Sequence, residues 1–218
     1  MGLRPHINFK EKKMATDIKA RFVSAGTAPG AADIAAEQAP ADGASLTLEA
    51  AASTFAGPAI TGCTVQRITL TSGSGDDNSG VTYTLTGTDG NNKTITEDIT
   101  GPSGGATVTS VKFYHTVTSI VGNGAASTDI SAGVTVTGIH AEITSGRTRI
   151  KGMHGVIGTA DTFLFKTSSS TGNNVMVLAA DAGDLDPYIP DDGVLFEEGA
   201  YLPFDNGDIT GLTVYLDA

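Results

Sequence analysis

From Arg67 to Gly138 apolar residues alternate with threonine between glycine-rich turns, as in RITLTSGSGDDNSGVTYTLTGTDGNNKTITEDITGP and later TVTSVKFYHTVTSI and GVTVTG. Val81, Tyr83 and Leu85 fall on one face and Thr82, Thr84 and Thr86 on the other. That period of two belongs to an antiparallel sheet with one buried and one wet face. The pattern predicts strands over 60–70, 80–86, 93–99, 108–113, 116–121 and 134–137, with turns at 87–92 and 101–106. The TDGNN segment supplies the Asp-Gly and Asn residues that accept positive φ in a tight hairpin. Turns recurring at intervals of roughly ten residues are the signature of an immunoglobulin-like sandwich.

A second series of strands is expected over 139–144, 147–155, 162–166, 174–179, 193–196, 200–203 and 211–216. The closing GLTVYL puts Leu212, Val214 and Leu216 on one face and Thr213 and Tyr215 on the other, so the last strand should dock into a sheet and hold the terminus. Upstream the pattern fades. SLTLEAAAS, 45–53, is open between strand and helical turn, because Ala and Glu oppose the alternation of Leu46 and Leu48. Residues 24–45 are dominated by Ala, Gly, Pro, Asp and Thr, and Pro29 and Pro40 block a continuous helix or central strand. They read as an extended strap that orders against a neighbour. Residues 1–21 lack a sustained apolar face and read as an arm ordered only on a partner. The expected architecture is therefore all-β: a basic extended arm and Ala/Gly/Pro-rich strap over 1–45, an Ig-like antiparallel β-sandwich over 46–138, and a second small β-rich, sandwich or jelly-roll-like unit with acidic loops over 139–218.

Composition agrees with short strands and tight turns: 28 glycines, no tryptophan and 17% charged residues in 218. Charge adds a polarity to the chain. Residues 1–21 hold six basic side chains against Glu11 and Asp17, while 167–218 hold ten acids and no base, within a net charge of −11. The basic end of one copy is thus suited to the acidic surface of another copy or a partner, and the acidic end to solubility. No signal-peptide core lies in 1–21, and no run of about eighteen apolar residues occurs anywhere, so a soluble product made in a cytoplasm is expected.

Candidate chemistry is sparse. Cys63 is the single cysteine, flanked by Gly62 and Thr64, and reads as a packed residue. Asp181, Asp184, Asp186, Asp191, Asp192, Glu197 and Glu198 cluster along the sequence, but a glycosidase needs two carboxylates across an aromatic-lined cleft, and only Tyr188, Tyr201 and a few Phe lie nearby. For calcium, 181–192 and 75–78 are oxygen-rich without the ordered Asp-x-Asp-x-Asp-Gly loop, and solvated loops are the simpler reading. His6, His115, His140 and His154 lack zinc spacing, and His115 beside Tyr114 reads as a packing or hydrogen-bonding residue. The Gly-Ser-Gly runs lack the lysine of a phosphate loop. The threonine rows at 69–71, 82–86 and 94–96 suit cross-strand pairing better than a flat ice- or sugar-binding face. Nucleic acid would have to bind through residues 1–21 alone, against repulsion from the rest. No catalytic residue, metal ligand or cofactor is assigned, and the expectation is a non-enzymatic protein that packs against other proteins.

AAEQAPADGASLTLEAAA, the TLTGTDGNNKTITEDITGP hairpin and TVTSVKFYHTVTSIV together resemble small structural proteins encoded near the capsid genes of tailed bacteriophages. In that family a Gln-x-Pro-x-x-Gly strap precedes a sandwich whose hairpin reads Thr-Gly-Thr-Asp-x-x-Gly-Asn before a Thr-Glu strand. Gln38, Pro40, Gly43, Gly87, Thr88, Asp89 and Glu97 match, with a hairpin one or two residues shorter. The closing IPDDGVLFEEGAYLPF and ITGLTVYL also resemble a recurrent module of phage virion proteins, so the likeness covers most of 36–216.

The resemblance implies a capsid decoration (cement) protein on the virion surface, made in the host cytoplasm. Its partners would be the major capsid protein and itself, as homotrimer or homodimer, with neither nucleic acid nor membrane involved. A head–tail connector, a tail or fibre component and a glycan-binding adhesin module stay open as alternatives. Since arginine and aromatic residues most often anchor interfaces, the expected contact residues are Arg4, Lys10, Lys12, Lys13 and Phe22 on the arm and Tyr114, Tyr188 and Tyr201 on the sandwiches.

Overall fold

The computed structural model of the chain describes residues 18–25, 34–49, 62–126, 129–135, 138–190, 192–205 and 207–217. Among these there is no helix, and seventeen strands form four antiparallel sheets. Nine lie in the first part of the chain: β1 (Ile18–Ser24), β2 (Ala35–Gln38), β3 (Thr64–Val65), β4 (Ile68–Ser72), β5 (Thr82–Thr88), β6 (Thr94–Thr100), β7 (Thr107–Thr109), β8 (Thr116–Gly122) and β9 (Ile130–Val134). Eight follow: β10 (His140–Thr144), β11 (Thr148–Ile157), β12 (Asp161–Lys166), β13 (Asn174–Ala180), β14 (Gly183–Leu185), β15 (Val194–Phe196), β16 (Ala200–Pro203) and β17 (Ile209–Asp217).

Two hydrophobic cores organise them. Sheets β2-β9-β4-β7 and β6-β5-β8 share a core containing Ile34, Leu46, Leu70, Tyr83, Leu85, Tyr114 and Ile120. Sheet β1-β17-β11-β14, with β15 also on β11, and sheet β13-β12-β16-β10-β3 share the other, which contains Val23, Cys63, Ile143, Phe163, Phe165, Phe196 and Val214. Each is a sandwich of two antiparallel sheets whose inward residues alternate with outward ones. As the alternation requires, Val81, Tyr83 and Leu85 are buried. The opposite face ties its hydroxyls across strands, Thr88 to Thr116 at 2.7 Å and Thr84 to the Asp98 carboxylate at 2.7 Å.

The cores do not follow the chain linearly. β1, at the end of the expected arm, is extended, yet it docks along its whole length on β17, from Ile18↔Asp217 to Ser24↔Gly211. Where ordering only on a partner was expected, the partner is in the same chain. From there 34–49 joins the first sandwich, 62–65 returns to the second through the Phe22–Gly62 bridge and the β3–β10 pairing, 66–135 builds the first, and 138–217 completes the second. The strand expected over 60–70 is accordingly divided into β3 and β4, which serve different sandwiches. Residues 1–17, the expected arm proper, lie outside the described residues.

Three further expectations are corrected. The strand expected over 108–113 ends at Thr109, because the Glu97 carboxylate takes the backbone N–H groups of Val111 (2.6 Å) and Lys112 (2.8 Å) and turns the chain out of the sheet. Of the strand expected at 134–137, Val134 ends β9, Ile130–Val134, which pairs with both β2 and β4, Thr135 is outside any strand, and 136–137 lie outside the described residues. The turn expected at 87–92 narrows to a tip after Thr88, where Asp89 Oδ1 accepts from Asn91 N and Lys93 N, both at 2.9 Å, and Asn92 takes φ 62°. Residues 45–49 form neither strand nor helix, although Ser45 bridges Val121.

That hairpin tip of the first sandwich clasps the second. The Glu142 carboxylate on β10 accepts from Gly90 N at 3.0 Å and Asn91 Nδ2 at 3.4 Å, and faces His140 Nε2 at 3.5 Å. From β1, Arg21 Nη2 donates to the Gly90 carbonyl and, at 3.4 Å, to that of Glu142. The His140 ring meets Phe113 edge-on at 4.5 Å, and Arg67 lies 4.8 Å above Phe113.

Candidate functional site

The outer face of sheet β1-β17-β11 carries the most distinctive surface. Register places Ala20, Tyr215 and Gly152 in one row, Phe22, Thr213 and His154 in the next, and Ser24, Gly211 and Val156 in a third. Glycine and aromatic are coupled here. A Cβ on Gly211 would lie 3.4 Å from the Phe22 ring, and one on Gly152 would lie 3.6 Å from the Tyr215 ring. Each ring thus covers the gap left by a neighbouring strand's glycine, with Tyr215 exposed and Phe22 half-buried. The register slips between Ile150 and Gly152 opposite Leu216 and Tyr215, so Lys151 is the extra residue of a bulge beside Tyr215.

Tyr188 adds the second half of the surface. It is 87% exposed, in a loop bracketed by Pro187 and Pro190 that limits its backbone freedom. Tyr188 and Tyr215 line a common open cleft of about 450 Å³ with Lys151, His154, Asp186 and Ile189. Val156, also exposed, extends the apolar strip. Tyr215, Lys151 and His154 were not among the expected contacts, though the GLTVYL alternation already placed Tyr215 on the wet face.

The expected contact residues separate. Phe22 and Tyr188 sit on or beside this face. Tyr201 is half-buried near the clasp, its ring 6.4 Å from His140, and burial, helped by Glu142 and Asp89, raises its phenol pKa. Tyr114 is corrected: it lies wholly inside the first core, its phenol pushed strongly up, first by burial and then by the Glu97 charge. An interior ring cannot anchor a partner. Arg4, Lys10, Lys12 and Lys13 lie outside the described residues.

The remaining chemical candidates are dispersed. Glu197 pairs with Arg147 at 2.7 Å and Glu198 accepts from Ser168 Oγ at 2.6 Å, both exposed, while Asp191 lies outside the described residues. Among the described residues no three His, Cys, Asp or Glu side chains converge to hold a metal ion. His115 is buried with Nδ1 2.9 Å from the Thr64 carbonyl. Cys63 is buried too: its thiol is pushed up to about 12 by burial, only partly offset by Arg21. Gly101-Pro102-Ser103-Gly104-Gly105 spells Gly-x-Ser-x-Gly, but a nucleophile elbow needs a strand-to-helix turn. Here the segment is a turn between β6 and β7 with Gly101 and Pro102 buried and Ser103 exposed, and Ser103 bridges Asp77.

Compared with protein-family models, curated proteins and solved structures, the chain has no match.

Proposed function

We propose that this chain is a non-enzymatic structural protein of a tailed-phage virion, a decoration protein that docks on the outside of the major capsid protein and stabilises the head. The observation carrying this reading is the aromatic face: Phe22, Tyr188 and Tyr215 held outward on or beside one rigid sheet, with Val156 and Lys151 alongside. Large, stiff aromatic surface gives contact area at little entropic cost and is what protein interfaces concentrate. The sequence likeness to virion proteins over most of 36–216 supports the choice of partner, and the basic residues of 1–21 suit an acidic capsid surface.

The test is binding to capsids assembled from the major capsid protein alone, followed by counting copies per particle with quantitative mass spectrometry. Saturation at hundreds of copies supports a decoration role. About a dozen or fewer, confined to the portal vertex, moves the protein to the connector or tail, and absence from particles removes the virion reading.

One observation favours a second reading. Two tyrosines flanking a cleft with Lys151, His154 and Asp186 also suit a sugar ring, which stacks on an aromatic face and bonds to polar neighbours. A glycan array separates the readings, since specific hits lost on Tyr188→Ala would favour an adhesin.

A further inference from the structure

Sheet edges expose unpaired backbone groups, and proteins protect them with charge, brevity or a covering segment. Among the described residues, all but one of this chain's edges are protected. β1 carries Lys19 and Arg21, and β6 carries Glu97 and Asp98. β2, β3, β7, β14 and β15 are four residues or fewer. β8 is uncharged, but Ser45 and Leu46 cover it, with Leu46 N donating to the Ile120 carbonyl at 2.8 Å.

β13 is the exception. It pairs with β12 alone, ends its sheet, spans seven residues and contains neither charge nor proline. The uncharged run extends over 167–180 in a chain of net charge −11. Val177 is 60% and Val175 37% exposed on its wet face, while Met176 and Leu178 pack against the core.

We propose that the free edge of β13 pairs antiparallel with β13 of a second copy across a two-fold axis. Self-pairing is favoured by its charge pattern. Contact between copies of an acidic chain costs least where acid does not face acid, and this strand is the long neutral edge. Side-chain parity restricts the register: inward Met176 and Leu178 must oppose inward residues, and Val175 and Ala179 outward ones, or the core face would meet the wet face. Full overlap of the seven residues then centres the axis on Val177 and sets Asp181 opposite Asn173, an acid against an amide. The contact is isologous, continuing one sheet of the second sandwich across both copies. It does not rest on the capsid reading, because it is a property of the free chain.

Sedimentation equilibrium of the full chain tests it, with circular dichroism confirming the fold of each variant. The wild type should sediment at twice the 22.1 kDa chain mass at micromolar concentration. Val177→Lys and Val177→Glu, each setting like charges at the axis, should be monomeric alone and should form a one-to-one heterodimer when mixed. A wild-type monomer at 100 μM overturns the proposal, leaving the edge to a segment of a different partner. Variants that stay dimeric alone, or that fail to pair when mixed, overturn it equally.

Discussion

The clasp between the sandwiches makes Gly90→Ala the sharpest test of the architecture. Gly90 does not adopt positive φ, so alanine is conformationally acceptable there; the obstacle is space. A Cβ at this position would lie 2.7 Å from the Cys63 carbonyl oxygen, 2.7 Å from Glu142 Cβ and 3.2 Å from Val65 Cγ1. Two of the three belong to backbone or to the root of a side chain, so the hairpin tip must lift away from β3 and β10. Overpacking of this kind costs about 1–3 kcal/mol. Lifting the tip also weakens the bond from Gly90 N to the Glu142 carboxylate, at 3.0 Å, and a bond to a charged group contributes about 1.5–3 kcal/mol. These costs are alternatives as much as addends, because the chain relaxes along the cheaper one, so the net loss is about 2–4 kcal/mol. At roughly 2–4 °C per kcal/mol for a chain of this size, Tm should fall by roughly 5–15 °C in differential scanning calorimetry. Gly80→Ala is the control: nothing lies within 4 Å of its Cβ position, and its expected cost is within about 0.5 kcal/mol. If Gly90→Ala melts together with Gly80→Ala, the hairpin tip is not seated on the second sandwich, and the coupling argument fails.

Other perturbations separate interior from surface. Tyr188→Ala and Tyr215→Ala should each weaken capsid binding at least tenfold, about 1.4 kcal/mol, with Tm unchanged within about 2 °C; equal binding by both variants would dismiss the aromatic face as the docking site. Tyr114→Phe should leave stability unchanged or raise it by up to about 1 kcal/mol in urea titration, because the buried hydroxyl has no hydrogen-bond partner. A clear loss would mean that the hydroxyl is bonded. The Cys63 thiol should resist alkylation in the native chain at pH 8 and react once the chain is unfolded in urea. Its raised pKa also sets a sign: the unfolded thiol ionises near 9 and the folded one near 12, so its contribution to stability is complete below pH 9 and is lost between 9 and 12. The urea midpoint should therefore fall more steeply over that range for the wild type than for Cys63→Ala, and parallel curves would contradict the burial argument.

Much of the fold was legible because a half-buried sheet imposes its period on the sequence. The strands around Tyr83, Leu164 and Val214 sit where alternation placed them, to within a residue or two at their ends. Tyr114 was misplaced by residue type, an aromatic read as an interface anchor, and not by the period. Counted from inward-facing Val108, alternation puts Ser110 and Tyr114 inward and Val111 outward. The structure keeps that parity although Glu97 captures the Val111 and Lys112 N–H groups and ends the strand, with Val111 75% exposed and Tyr114 in the core. β1 was hidden for another reason. Its outward positions are Ile18, Ala20 and Phe22, while Lys19, itself exposed, and half-buried Arg21 share the parity of buried Val23, so its pattern reads inside out. Arg21 Nη2 donates to the Gly90 and Glu142 carbonyls, which come from two distant parts of the chain that no local window contains. The bulge at Lys151 and the rings covering Gly152 and Gly211 likewise depend on register between strands some sixty residues or more apart, and only the outward direction of Tyr215 was readable beforehand.

The two proposed surfaces are compatible for a geometric reason. The aromatic face belongs to sheet β1-β17-β11, and the free edge belongs to β13 in the opposite sheet of the same sandwich. Self-pairing through β13 therefore leaves Phe22, Tyr188 and Tyr215 uncovered, and a dimer carries two such faces. A second docking event is then intramolecular, so modest single-face affinity is multiplied when the spacing of the faces matches that of sites on the capsid. That gain requires a stiff link between the two surfaces, and here both are sheets packed on one core, that of the second sandwich. A Val177→Lys monomer should accordingly bind capsids through the same face with single-site affinity and faster dissociation, and Tyr188→Ala should remain a dimer. Each surface can thus be removed without the other, which makes the contribution of either one measurable.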